Sequence, residues 1–259
     1  MIERDMANLA KQHRFAAVGA LTDTAFEMRG AVQSAMRSGF DRPTPFVLSG
    51  VKVFGAYEPS PGRLEAEVYI DTEGTQASPE DVLRPEVHGG ARNLKGAERR
   101  LQAVGLMLPG SFMVPSKELL AQGQLVDAYG NVRGSFIRTL LSYLQAFNTA
   151  GFTANATRKT RDRIAAKGKS AGGFATINGV AYFVSKGRGE RNGRQQHLPA
   201  GIWAKRGIHG SKIYPVFLFV SSPRYTERLR FFDICRNVSE RTFPVKFKAR
   251  LARALATAK

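Results

Sequence analysis

The sequence predicts a mixed α+β protein: a long N-terminal helix, an antiparallel β-sheet built from hairpins, a helical insertion and a C-terminal helix. Three observations predict it. Val18, Leu21, Ala25, Met28, Val32 and Met36 recur at spacings of three and four, the period of one helix face. In RLEAEVYID, Leu64, Ala66, Val68 and Ile70 alternate with Glu65, Glu67 and Tyr69, the period of a strand with one buried side. Asn178-Gly179, a pair suited to a two-residue hairpin turn, joins two β-rich runs in GGFATINGVAYFVSKG.

The first helix is expected over residues 14–38, with Gly39 in the left-handed position beyond its end. In FDRPTPFVLSGVKVF, Pro43 and Pro45 forbid continuation and bias Arg42 and Thr44 toward extended geometry. Asp41, Pro43 and Pro45 are therefore read as a structural turn that forces an abrupt exit from helix to strand. Val47, Val51 and Val53 begin that strand, and YEPSPG turns it into RLEAEVYID.

Ser78-Pro79-Glu80-Asp81 is a helix start: a capping serine, proline at the first position and acids in the first turn. Pro85 is expected to keep this helix short. A further helix over 93–104 places Leu94, Leu101 and Val104 on one stripe and stops at Gly105. Another covers about 132–147, with Phe136, Ile137, Leu140, Leu141, Leu144 and Phe147 as a broad apolar face. The stretch between them reads as loop, with one helical turn at 117–122.

Strands are expected at 196–205 and 212–220, the second carrying Pro215 at an edge or entry position. The C-terminal segment is helical with a break at Pro244. It carries an apolar stripe of Phe243, Phe247, Leu251 and Leu255, with Lys246, Arg250 and Arg253 on the opposite side. The organisation implied is a single α+β domain over 1–259, with a helical insertion around 76–150 and a basic segment over 151–259.

Charge is the strongest compositional signal. Residues 1–150 hold 16 Lys and Arg against 16 Asp and Glu, whereas residues 151–259 hold 23 against five, the whole of the net +18. Such asymmetry implies an acidic partner for one face, either nucleic acid, a membrane surface or the acidic side of a protein. The longest apolar strand-like run, 213–220, is far short of the ~20 residues that span a bilayer. The N-terminus has charges where a secretory leader would place its apolar core. A cytoplasmic folding environment is expected. The single cysteine, Cys235, can form no internal disulfide and reads as a small core residue.

No catalytic pattern emerges. His13, His88, His197 and His209 have no metal-ligand spacing, and no GxSxG surrounds a serine. Glu65 and Glu67 read as solvated hairpin carboxylates. The acids of the second part, Asp162, Glu190, Glu227, Asp233 and Glu240, are too widely spaced for a nuclease metal site. The expectation is a non-enzymatic chain with no cofactor and no metal.

Two basic segments remain. SKGRGERNGRQQHLPAG interleaves Lys186, Arg188, Arg191 and Arg194 with glycines. It leads into a strand rather than a helix, so it reads as an adaptable basic loop and not as a phosphate-binding loop. RKTRDR at 158–163 places Arg158, Lys159 and Arg161 close together. These residues, with Arg250 and Arg253, are the candidates for contacting a protein partner or DNA phosphates without sequence preference.

The order of the long helix, FDRPTPFVLSGVKVF, LEAEVYID, PEVHGGARNLKGAERRLQAVG, LPGSFMVPSKE, QLVDAYGNVRGSFIRTLLSYLQAF, HLPAGIW and the closing segment from IYPVFLFV onward resembles a family of tailed-bacteriophage and prophage virion proteins. In outline it also resembles neck and tail-completion proteins of the lambda minor-tail-protein Z type. The resemblance implies a structural subunit at the head–tail joint, forming a homo-oligomeric ring on portal, adaptor or tail proteins around the DNA channel. Residues 41–45 correspond to that pattern's helix-to-strand turn, and His197, Pro199, Gly201 and Trp203 to its late aromatic strand. The glycine- and arginine-rich stretch before His197 is longer than in the pattern. The implied location is the virion neck or tail, with assembly in the host cytoplasm and no membrane partner. The alternative is a sequence-independent nucleic-acid-binding protein.

Overall fold

The computed structural model describes residues 2–74, 77–144, 177, 179–191, 194–206 and 212–257. The chain is α+β, with long helices at both ends and antiparallel strand pairing throughout. The sequence reading takes 1–259 as one domain, but contacts divide the chain into two compact units. The first joins residues 1–92 to residues 224–259, and the second is residues 93–223.

The first unit is organised by α1 (Ile2–Gly39) and α7 (Phe231–Thr257), which pack against each other. Ala16, Ala20, Thr24 and Ala25 are buried on α1, and small side chains at such spacing let two helix axes approach closely. At the other end Val32 and Met36 join Phe231, Leu229, Val51, Leu83 and Val87 in a continuous apolar cluster. Cys235 packs against that cluster, and burial pushes its thiol up to about 11. Pro244 does not break α7. It lies on the exposed side, where water can satisfy the carbonyl left without an amide donor.

The turn after α1 differs from the sequence expectation in three ways. Gly39 remains helical, and Arg42 takes the left-handed conformation at φ 47°. Thr44 is extended, as a residue before proline should be. The chain then enters not a strand but a short helix, α2 (Pro45–Ser49), with Pro45 in its first turn and the Thr44 hydroxyl accepting from the Val47 amide. Proline at that position starts a helix because it needs no amide hydrogen there. Val47 is thus helical, and the strand begins at Val51.

β1 (Val51–Ser60) and β2 (Arg63–Ile70) form the expected antiparallel hairpin. Val51, Val68 and Ile70 belong to the α1 cluster. Two register irregularities, between Phe54 and Tyr57 and between Tyr57 and Ser60, each give β1 one residue more than β2 and add local twist. α3 (Pro79–His88) starts with a complete capping box between Ser78 and Asp81. It continues through Pro85, which is buried along with Leu83 and Val87, so packing overrides the expected stop. β3 (Gly90–Ala91) and β10 (Arg224–Tyr225) pair where the chain leaves and re-enters this unit.

The second unit is built on a four-stranded antiparallel sheet in the order β4 (Ser111–Pro115), β9 (Lys212–Ser221), β8 (Gly201–Arg206) and β5 (Ala181–Ser185). α4 (Gly96–Ala103) and α6 (Gly134–Tyr143) supply Leu101, Phe136, Leu140 and Leu141 to a core with Met113, Tyr182, Ile202, Ala204, Val216 and Phe217 from the sheet. Strand β4 lies within the stretch expected to be loop, so the insertion around 76–150 is not purely helical. Its helical turn is present as α5 (Lys117–Leu120), capped by Ser116. α6 matches the expected helix up to Tyr143, and 145–147 lie outside the described residues. Pro215 is on an interior strand, next to a register shift and beyond the last residue paired with β4. There its missing donor costs no sheet bond to β4, and its carbonyl accepts from the Ser116 hydroxyl at 2.7 Å.

Glu98 is fully buried at the join of α4 and β4. Its two carboxylate oxygens accept from the Lys95 amide at 2.6 Å and the Met113 amide at 2.7 Å. One side chain thereby closes the helix start and fixes the edge strand.

Candidate functional site

The candidate cations fall into three groups. Arg158, Lys159 and Arg161 lie outside the described residues. Arg191 and Arg194 lie on a small β-ribbon with Lys186 and Arg188 just before it, and Arg250 and Arg253 lie on α7.

The ribbon replaces the basic loop that the sequence suggests. β6 (Gly189–Arg191) pairs with β7 (Arg194–Gln196), and Arg191 stands opposite Arg194 in register. Lys186 and Arg188 are exposed, and Arg188 donates its Nε to the His197 carbonyl at 3.2 Å. Gly187 and Gly189 flank Arg188 at φ 113° and 130°, values that only glycine adopts without strain. They turn the chain out of β5 into the ribbon. Trp203, on the adjoining β8, is buried and donates its indole N–H to the Pro199 carbonyl at 3.1 Å. His197, Pro199, Gly201 and Trp203 thus form the ribbon's base and the strand after it.

Arg250 is not held apart from the helix contact, as the sequence reading has it. Its guanidinium makes a two-point bond to Asp23 of α1, Nε to Oδ2 at 2.9 Å and Nη2 to Oδ1 at 2.8 Å. One helical turn away Lys246 pairs with Glu27, which also accepts from the Thr242 hydroxyl. Lys246 holds the Glu27 carboxyl below its ordinary value, and Glu27 in turn raises Lys246. The buried stripe of α7 is Phe231, Val238, Thr242 and Ala254, rather than the line of Phe243, Phe247, Leu251 and Leu255. The latter four are partly exposed, and Phe243 stacks on Phe247 with centroids 5.9 Å apart. Arg253 is exposed. Of the structural turn, Asp41 and Arg42 bond side chain to side chain at 3.0 Å on the surface, which holds the Asp41 carboxyl below its usual range.

One surface was not read as a site from the sequence. Lys52, Phe54, Tyr57, Glu65, Glu67 and Tyr69 share the face of the β1–β2 hairpin opposite Val51, Val53 and Val68. Phe54 is 52% exposed and Tyr69 42%. Phe54 meets Tyr57 edge-on at 5.0 Å, and the Tyr57 hydroxyl donates to Glu67. That bond pushes the phenol up to about 12. The alternation of Glu65, Glu67 and Tyr69 with the apolar series was the available signal.

Among the described residues, no group of three or more His, Cys, Asp and Glu is placed to hold a metal ion, and no helix is long and apolar enough to cross a membrane. Grouped by compact unit, residues 93–223 carry 19 Lys and Arg against five acids, while the two segments of the other unit carry 20 against 16. The fold and its charged surfaces define an α+β protein of two compact units, one strongly basic. Comparison with known protein families, curated proteins and solved structures finds no match to this chain.

Proposed function

We propose that this chain is a structural virion protein of a tailed phage or prophage, placed at the head–tail joint as a neck, tail-completion or minor-tail subunit. It forms a homo-oligomeric ring that joins portal or adaptor to tail around the DNA channel, and it acts by assembly rather than catalysis, without a cofactor. The observation that carries the reading is the concentration of positive charge in residues 93–223, 19 cations against five acids, beside a near-balanced remainder. A subunit that binds neighbours and lines a path for DNA needs such a division, because phosphates attract cations whatever the base sequence.

Size-exclusion chromatography with light scattering, on the chain alone and with purified portal, tests it. Rings of uniform mass that depend on portal are expected, and a monomer or dimer that ignores portal would overturn the reading.

The basic ribbon favours a second reading, a sequence-independent nucleic-acid-binding protein. In that case replacing Arg188, Arg191 and Arg194 with glutamine lowers duplex affinity and reduces its salt slope by up to about 2.7, from roughly 0.9 per phosphate contact. An unchanged slope would remove the ribbon from that role.

A further inference from the structure

We propose that the free edge of β2 pairs antiparallel with β2 of a second copy of this chain, about a two-fold axis at Glu67, so that two hairpins form one four-stranded sheet. The inference goes beyond the reading of the chain as a ring subunit and does not rest on it.

The free edge follows from the hairpin's hydrogen bonding. Asp71 donates its amide to the Gly50 carbonyl at 2.8 Å, and these residues stand opposite each other one step beyond the Val51–Ile70 pair. Bonded and non-bonded pairs alternate along an antiparallel ladder, so Tyr69 and Glu67 also turn their amides toward β1. Ile70, Val68, Ala66 and Leu64 turn theirs away from it. Both register irregularities place the extra residue in β1, which leaves β2 regular along its length. The hairpin is a sheet of two strands, and among the described residues no strand pairs with β2 on its other side. The polar bonds from α1, Arg14 to Glu58 and the Ala56 amide to Thr22, are made to β1. Edge strands are ordinarily blunted by proline, lysine, a bulge or a charge pointing inward. RLEAEVYI has none of these.

The order of residues along β2 selects a copy of itself as the occupant. With Glu67 on the axis, Leu64 meets Ile70 and Ala66 meets Val68 on the inner face, each pair twice. On the outer face Arg63 meets Asp71 and Glu65 meets Tyr69, also twice. A cation and an acid thus stand at equal distances on the two sides of Glu67, the arrangement that a two-fold pairing brings together. Within its own hairpin Arg63 is shared with Glu65, and Asp71 with Lys52 at 3.9 Å, surface contacts that exchange readily. An axis at Val68 would set Glu65 against Asp71, and an axis at Ala66 would set Glu65 against Glu67, two like-charge contacts in either case. An axis at Glu65 would shorten the paired stretch of β2 to 63–67. In the favoured register the one like pair is Glu67 with its copy, and each of these carboxylates accepts from its own Tyr57 hydroxyl.

The test is sedimentation velocity on the full chain over a range of concentration. Wild type is expected to form dimers and nothing larger, because a surface matched to itself is used up by one partner. Glu67→Gln should strengthen the dimer by up to about fivefold, since it removes the like charges at the axis. An equal mixture of wild type and Glu67→Lys should form heterodimers beyond the random proportion, because only the mixed pair sets opposite charges on the axis. Ala66→Pro should weaken dimerisation at least about tenfold and leave the fold intact, because the amide it removes is not used by β1. Unchanged thermal melting checks the fold. Glu67→Cys should oxidise to a disulfide-linked dimer and Tyr69→Cys should not, since only residue 67 meets its own copy within disulfide reach.

A wild type that stays monomeric, heterodimers in no more than the random proportion, or equal cross-linking from residues 67 and 69 would each overturn the proposal. So would dimers that a folded Ala66→Pro chain forms as well as wild type, since another surface would then make the contact. Dimers that portal does not convert into rings would remove the ring reading and leave the pairing standing. A chain that is monomeric alone and forms rings on portal would do the reverse.

Discussion

Arg250 grips Asp23 across the α1–α7 contact at two points, 2.9 and 2.8 Å, and the space for its guanidinium exists because residue 19 is glycine. A Cβ at Gly19 would lie 3.1 Å from Arg250 Nη1. Gly→Ala inside a helix ordinarily gains about 1 kcal/mol, and here the crowded guanidinium opposes the gain. Gly19→Ala is expected to stabilise the chain by less than about 0.5 kcal/mol, and by about 1 kcal/mol in an Arg250→Ala background. Equal gains in both backgrounds, measured by urea denaturation, would refute the steric link.

The neighbouring pair, Glu27 and Lys246, links stability to pH on two sides. Glu27 is lowered in the folded chain by its bond to Lys246, so its contribution is present above the ordinary value of 4.5 and is lost as pH falls through the lowered one. Lys246 is raised, so its contribution is present below 10.5 and is lost as pH rises through the raised value. Lys246→Met should flatten both limbs of a plot of melting temperature against pH. A variant that keeps the wild-type shape would show that other groups set it.

Glu98 has two buried oxygens and an amide bound to each. Glu98→Ala leaves the Lys95 and Met113 amides without these acceptors and should cost about 3 kcal/mol. Glu98→Gln keeps one acceptor oxygen and should cost less. Amide exchange at Met113 should quicken in both. Protection of Met113 equal to wild type in the alanine variant would contradict the assignment.

Replacing Pro43 and Pro45 with alanine should loosen the turn after α1 by roughly 1 kcal/mol, chiefly by giving the unfolded chain more freedom. Thr44→Ala should cost about 1 kcal/mol separately, because it removes the cap of α2. An unchanged denaturation midpoint would dismiss the first effect.

Truncation after Thr242 removes Lys246, Arg250 and buried Ala254 from α7. α1 then loses part of the helix it packs against, including the Phe247 ring beside His13. The shortened chain should fold poorly or expose apolar surface to a fluorescent probe. A cooperative melt at the wild-type temperature would show the last helical turns to be dispensable.

The sequence by itself determined the parts whose cause is local. The period of Val18 to Met36 made a helix, the alternation of Leu64 to Ile70 made a strand, and Ser78-Pro79-Glu80-Asp81 wrote its own cap. In each case neighbouring residues satisfy the backbone or define the buried side, so no distant partner is needed. The uneven charge was equally plain. Only the tertiary structure decided what prolines and cations do. Pro85 and Pro244 sit inside helices because packing and exposure absorb a lost amide bond, whereas Pro45 starts a helix that its own dipeptide signal concealed. Arg250 reads as a surface cation until Asp23, more than two hundred residues earlier, is brought beside it. The two compact units belong to the same class, since residues 1–92 and 224–259 meet only through long-range packing that no local pattern encodes.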